Sequence, residues 1–185
     1  MMFWTGILLV GFCLLVIITI VGYTLKTGIS PMPSSAAARR EILRQLTKYA
    51  DHHQKKTIID PGSGWGHLVI LIAGKFPQHR VIGYELSLFP WLASLALKHL
   101  LRLDNLILYR KDFFGADLSG ADILTCYLFP QAMNALLKKL RQEDPGIQMV
   151  ISNCFAFPST QADHTVLLKD DYNTPIYLYR FPPAG

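Results

Sequence analysis

From Phe3 to Leu25 the chain carries no charged residue, and Ile, Leu, Val, Phe and Gly dominate the run. As a helix rising about 1.5 Å per residue, this segment is about 34 Å long, enough to cross a hydrocarbon core of about 30 Å. It is too long for the apolar centre of a signal peptide, and no Lys or Arg precedes it. A buried core helix is the alternative, but cores rarely need so long an apolar stretch. The pattern predicts one transmembrane helix within residues 1–26. Thr27 to Ser35 is rich in Gly, Pro and Ser and reads as a linker. Ser34 or Ser35 can then cap a helix running to about Tyr49, with Ile42, Leu43 and Leu46 as its apolar stripe. Linker and helix occupy residues 27–54.

After Lys55 short apolar runs alternate with helical periods, and residues 55–185 read as one domain. Strands are predicted over Thr57–Asp60, Arg80–Glu85, Leu106–Arg110, Ile123–Phe129 and Ile147–Ser152. Between them, helices are predicted from Gly66 to Lys75, Trp91 to Leu103 and Gln131 to Leu140, the last with Met133, Leu136, Leu137 and Leu140 on one side. This alternation is that of an α/β protein whose mostly parallel sheet is covered on both faces. The end of the chain differs. Thr165–Lys169 and Ile176–Phe181 are separated only by a turn rich in Asp, Asn and Pro, which predicts a terminal hairpin and an antiparallel strand at the edge of a seven-stranded sheet. Asn153 to His164 is too short for a full crossover helix.

Charge gives the apolar segment a direction. Lys26, Arg39, Arg40, Arg44 and Lys48 follow it, and part of the formal charge of +5 is concentrated there. The positive-inside rule then predicts a single-pass protein of the inner (cytoplasmic) membrane with its C-terminal domain in the cytoplasm. These bases suit attraction to anionic headgroups, and a solvated helix face accounts for them equally well. Bases and aromatics do not interleave, so no nucleic-acid partner is expected. Cys13, Cys126 and Cys154 are odd in number and lack C-x-x-C spacing, which fits a reducing compartment and argues against zinc. His52 and His53 have no partners at metal spacing and read as surface residues; no metal is expected.

The candidate chemistry lies in Ile58-Ile59-Asp60-Pro61-Gly62-Ser63-Gly64-Trp65-Gly66, a glycine-rich turn between a strand and a helix. Ligands of open α/β sheets bind at such strand ends. Gly62 and Gly64 let the backbone turn sharply toward a ligand, and Gly66 allows close passage beside the helix start. A nicotinamide-binding protein also has such a turn. Asp60, however, would set a negative charge beside a pyrophosphate, and His67 stands where the nicotinamide fingerprint has Gly or Ala. S-adenosylmethionine (SAM) has no phosphate and carries a sulfonium and an amino group, so it fits better. Glu85, ending the second strand, can accept from both ribose hydroxyls; an exposed strand-end acid is the alternative. Asp112 can accept from the adenine amino group while Phe113 packs on the ring, although an ordinary loop acid fits its spacing as well. Asp60, Glu85 and Asp112 all close successive strands, which scattered surface acids would not do. Ser63 and Leu86 complete this predicted cofactor set. After the fourth strand, Tyr127 or Gln131 can orient an acceptor, with Asn153 a weaker candidate on the same rim. Core packing accounts for Tyr127 equally well. No N/D-P-P-Y/F sequence is present, which weighs against base modification.

With these residues in view, the chain resembles class I SAM-dependent methyltransferases. More narrowly, it is similar to small bacterial relatives of the mitochondrial lysine methyltransferases that modify the ATP synthase c-subunit and the adenine nucleotide translocase. The stretches that carry the resemblance are PMPSS, IIDPGSGWG, VIGYELSLFPWLA, KDFF, YLFPQAM, VISNCFAFP and TPIYLYRF, over residues 31–181. It implies a Rossmann-like fold, Asp60, Gly62, Gly64, Gly66, Glu85 and Asp112 as cofactor contacts, an N-terminal hydrophobic anchor, and a membrane-embedded lysine as a possible acceptor. Where the mitochondrial relatives carry Asp-Gly-Arg, this chain has Trp65-Gly66-His67. The expectation is a methyltransferase at the cytoplasmic membrane surface, partnered by the lipid bilayer and by a membrane-associated protein or lipophilic acceptor. The alternatives are a non-catalytic SAM-binding protein, a methyltransferase of a lipid or lipophilic small molecule, and a nicotinamide-dependent oxidoreductase.

Overall fold

Alternate residues of each central strand serve opposite faces of one sheet. Ile58, Ile123, Met149 and Ile151 join one buried cluster, while Ile59, Leu124 and Val150 join the other. That two-residue period gives a sheet covered on both sides. The computed structural model describes residues 2–27, 33–50, 54–143 and 146–181. His52 and His53 lie outside them, as does most of the predicted linker.

Helix α1 spans Met2–Thr27 and α2 Ala36–Tyr49. The strands are β1 (Thr57–Pro61), β2 (Arg80–Tyr84), β3 (Leu106–Tyr109), β4 (Ile123–Cys126), β5 (Met149–Asn153), β6 (His164–Leu167) and β7 (Pro175–Arg180). Helices α3 (His67–Lys75), α4 (Leu88–Leu100) and α5 (Pro130–Glu143) connect them, with a 3-10 turn at Phe113–Gly115. The strand order is β3-β2-β1-β4-β5-β7-β6. The hairpin exists, but its placement corrects the expectation. The antiparallel strand is β7, which inserts between β5 and β6 and pairs Ile151 with Leu178; the edge strand β6 is antiparallel to β7 and so runs in the same sense as β1 to β5. β7 has the apolar content for that inner place: Ile176, Leu178 and Tyr179 are buried, whereas β6 is largely exposed.

Several boundaries shift for local reasons. Ser35 is the residue that caps α2, its Oγ accepting from the Ala38 N–H at 3.1 Å. α4 starts at Leu88 instead of Trp91 because Pro90 falls within the first turn, where its missing N–H has no helical partner to lose. It ends before Arg102, whose φ of 52° leaves the helical region. β4 stops at Cys126, and Tyr127 to Phe129 turn away from the sheet. No helix covers residues 154–163; the Tyr179 hydroxyl accepts from the Phe157 N–H at 2.9 Å and holds that loop down.

α1 is a continuous helix of 26 residues, and Trp4, Leu8, Val10, Leu14, Ile17 and Ile18 are exposed on it. Among the described residues, however, no helix is long and apolar enough to cross a membrane. Several α1 side chains, Cys13 among them, lie outside the described set. The transmembrane reading therefore rests on the sequence.

Candidate active site

A cavity of about 590 Å³ opens at the C-terminal ends of the parallel strands, within the usual range of about 300–1,000 Å³ for small-molecule sites. Asp60, Gly62, Ser63 and Gly64 line it from the β1 loop, and Glu85 and Leu86 from the β2 loop. Asp112 and Phe113 reach it after β3, and Tyr127 and Gln131 after β4. Two expected residues stand off the cavity. Gly66 is one: with φ at 78°, it starts α3, and a Cβ there would lie 2.5 Å from Ser94 Oγ. Its role is to let α3 pass close to α4. Asn153 is the other. It is buried, and its Nδ2 donates to Ser34 Oγ at 3.3 Å, so it supports a residue that lines the cavity instead of lining it itself.

Glu85 ties two loops together. Its Oε2 accepts from the Gly64 N–H at 2.9 Å and its Oε1 from the Ser87 N–H at 2.6 Å. A carboxylate offers about four lone-pair sites, so capacity remains for two hydroxyl donors. Gly62 and Ser63 N–H both donate to the Tyr84 carbonyl, which fixes the glycine turn against the end of β2.

Asp60 is buried at 5 % exposure. Burial, and secondarily the charge of Glu85, push its carboxyl up to about 8. Such an acid at a cavity wall gains most from a cationic ligand, which would restore its charged form. Cys126 lies behind it, and burial followed by the field of Asp60 raises its thiol far above the ordinary range, so it is no nucleophile. Asp112 is exposed, and its Oδ1 accepts from the Phe114 N–H at 3.0 Å, which shapes the 3-10 turn. Phe113 is 7 % exposed, with its ring 4.0 Å from that of Phe114. At the β4 end, Tyr127 stacks on Phe155 with centroids 6.1 Å apart. Burial, then Cys154, raises its phenol, which stays protonated at neutral pH. Gln131 is exposed at the rim. Among the described residues no group of His, Cys, Asp and Glu is arranged to hold a metal ion.

Other lining residues escaped the reading of the sequence. Trp65 and His67 face the cavity from the glycine turn, and their departure from the relatives' loop was the available signal. Lys111 and Phe114 flank the predicted pair Asp112 and Phe113. Pro33 and Ser34 belong to the PMPSS stretch, but their place at the cavity had no local signal, because Ser34 meets Asn153 across 119 positions of chain.

The residues fit SAM on the structure's own terms: a buried acid poised for a cation, a glycine turn whose Gly62, Ser63 and Gly64 N–H groups are engaged within the protein, and a strand-end Glu with free acceptor capacity. Sheet order and site together define a class I SAM-dependent methyltransferase of Rossmann-like fold. A solved RNA methyltransferase from Salinibacter ruber, in complex with S-adenosyl-L-homocysteine, is similar at TM-score 0.70 and 25% identity, over 83% of this chain and 96% of that one. The family model for the ANTKMT methyltransferase domain matches residues 60–164, and the chain belongs to that family. The mouse adenine nucleotide translocase lysine N-methyltransferase is 30% identical over 70% of this chain, and the match covers 56% of the mouse enzyme, little more than half its length. A protein-lysine N-methyltransferase of Saccharolobus islandicus is 24% identical over 75% of this chain and 88% of its own.

Proposed function

We propose that this chain is a protein-lysine N-methyltransferase working at a membrane surface. The carrying observation is one cavity lined both by the strand-end acids Asp60 and Glu85 and by the aromatic and amide side chains of Tyr127, Phe129 and Gln131. The family membership and the two lysine-methylating relatives supply the acceptor class.

SAM, when bound, supplies a sulfonium-activated methyl group. Asp60 would hold the amino end of the ligand, Glu85 the ribose hydroxyls, and Asp112 with Phe113 the adenine, while Gly62, Ser63, Gly64 and Leu86 shape the walls. The chain's remaining task is alignment. Tyr127 and Gln131 would orient a lysine amine toward the methyl group that SAM would supply. That amine must first lose its proton. The aromatic lining disfavours the charged form by desolvation, and the proton passes to water, since Tyr127 is held protonated. Asn153 acts one step back, through Ser34.

Action at the membrane is supported by the uncharged run from Phe3 to Leu25, by the exposed apolar residues of α1, and by the bases that follow. On this reading α1 anchors the protein in the cytoplasmic membrane with the catalytic domain in the cytoplasm. The test is to incubate membranes from cells lacking the gene with the purified full chain and tritium-labelled SAM, followed by mass spectrometry. Methyl-lysine on a membrane protein is expected. Label found only in lipid or small molecules would overturn the acceptor, and no label at all would overturn the enzyme. Alkaline carbonate washing of native membranes tests the anchor, and release into the wash would refute it.

A further inference from the structure

Among the described residues, five positions of α4 (Leu92, Ala96, Leu97, His99 and Leu100) are left exposed. α4 is a helix of 13 residues rich in leucine, yet the fold buries only Pro90 and Ser94 on it. Leu92, Ala96 and Leu100 recur every four residues, which places them on one face, and all three are exposed, Leu100 to 76 %. Leu97 and Leu101 are exposed beside them. The neighbouring α3 extends this surface. A Cβ on Gly66 would meet Ser94, and one on Gly74 would meet Leu103. The two helices therefore run side by side in one sense, with exposed Leu71 at the level between these contacts. Single exposed leucines are ordinary, but a group on adjoining helices marks an interaction surface.

The surrounding charge says what kind. Lys75 lies in the last turn of α3, Lys98 and His99 in the last turn of α4, and exposed Arg102 follows. From His67 to Leu103 the one carboxylate in the sequence is Glu85. It is buried and occupied by the Gly64 and Ser87 N–H groups. A second copy of the same face would bring these cations against one another. Leucines bordered by Lys75, Lys98, His99 and Arg102, with exposed Asp104 as the nearest acid beyond them, match a surface that lies in the headgroup layer of anionic lipid.

We propose that the leucine face of α3 and α4 docks on an anionic bilayer. Glu85 to Ser87 line the cavity and lead directly into α4. Docking there fixes the mouth of the cavity relative to the lipid surface, so that an acceptor at the membrane reaches it. The surface goes beyond the methyl-transfer reading and requires neither a lysine acceptor nor a spanning α1.

The experiment uses the full chain with Cys13→Ser and Cys154→Ser; Cys126 is buried and stays in place. Leu100→Cys, or as control the exposed Lys138→Cys of α5, carries an environment-sensitive fluorophore. Vesicles contain phosphatidylcholine, phosphatidylglycerol and a nitroxide-labelled lipid, and flotation confirms that the chain is bound. The Leu100 label is expected to shift to the blue and be quenched while the Lys138 label is not. Lys98→Gln with Arg102→Gln should lower the docked-to-free ratio about fivefold for each charge removed. An unquenched Leu100 label on chains that float overturns the proposal and leaves the anchor standing. A label shielded from water but unquenched also overturns it, since a protein surface then covers α4. Failure to float overturns it together with the anchor.

Discussion

Replacing Asp60 with Asn should make the ligand-free protein more stable, and increasingly so as pH rises. The carboxyl is 5 % exposed and pushed up to about 8 by burial and then by Glu85, against about 3.9 in an unfolded chain. Between those values the native state holds a proton that the unfolded state has released, so stability falls as pH rises through the window. About four pH units at about 1.4 kcal/mol each give a loss of about 5 kcal/mol by pH 8, an upper bound because Glu85 shares the field. Asn has no charge to bury, although its amide costs about 1–3 kcal/mol of desolvation. Asp60→Asn should therefore show a flatter pH dependence and gain about 2 kcal/mol or more at pH 8.5. Urea unfolding of the full chain in nonionic detergent, from pH 5 to 9, measures both curves. The same substitution should weaken SAM binding, and the parent should release a proton on binding near neutral pH, read by calorimetry in two buffers of different ionisation enthalpy. Parallel stability curves for parent and variant would refute the reasoning.

Glu85→Gln presents an NH2 to one of two N–H donors, leaving a buried donor unmet at a cost of about 1–3 kcal/mol. SAM affinity by calorimetry should fall about tenfold to a hundredfold, and an unchanged value would remove Glu85 from the site. Gly66→Ala combines a positive φ of 78° with a Cβ 2.5 Å from Ser94 Oγ, for a stability loss of about 2–4 kcal/mol. Adding Ser94→Gly should recover the steric part only; full recovery would show that the backbone carries no strain. Asn105 Nδ2 lies 3.1 Å from each of the Ala73, Phe76 and His79 carbonyls. Asn105→Ala should lower stability by about 2 kcal/mol and leave SAM affinity intact, because the residue precedes β3, at the strand end away from the cavity.

The residues themselves determined which elements form and where the cofactor chemistry gathers. Period-two and helical spacing are local signals, so strands such as Arg80–Tyr84 and helices such as Pro130–Glu143 emerge within a few residues of where spacing puts them. The glycine turn after Asp60 and the acid closing β2 are likewise set by the chain's local order, because consecutive parallel strands deliver their C-terminal ends to one edge. Tertiary structure decided what depends on distant partners. β7 is the inner strand and β6 the edge because the buried face of β7 packs with β5, a choice that the hairpin's own sequence leaves open. Gly66 serves helix packing and not the cavity because Ser94 stands opposite it. Asn153 reaches the site only through Ser34, and the raised carboxyl of Asp60 exists only once the fold has excluded water around it. Periodicity is written in neighbours, whereas burial and contact across the chain arise only when the layers close.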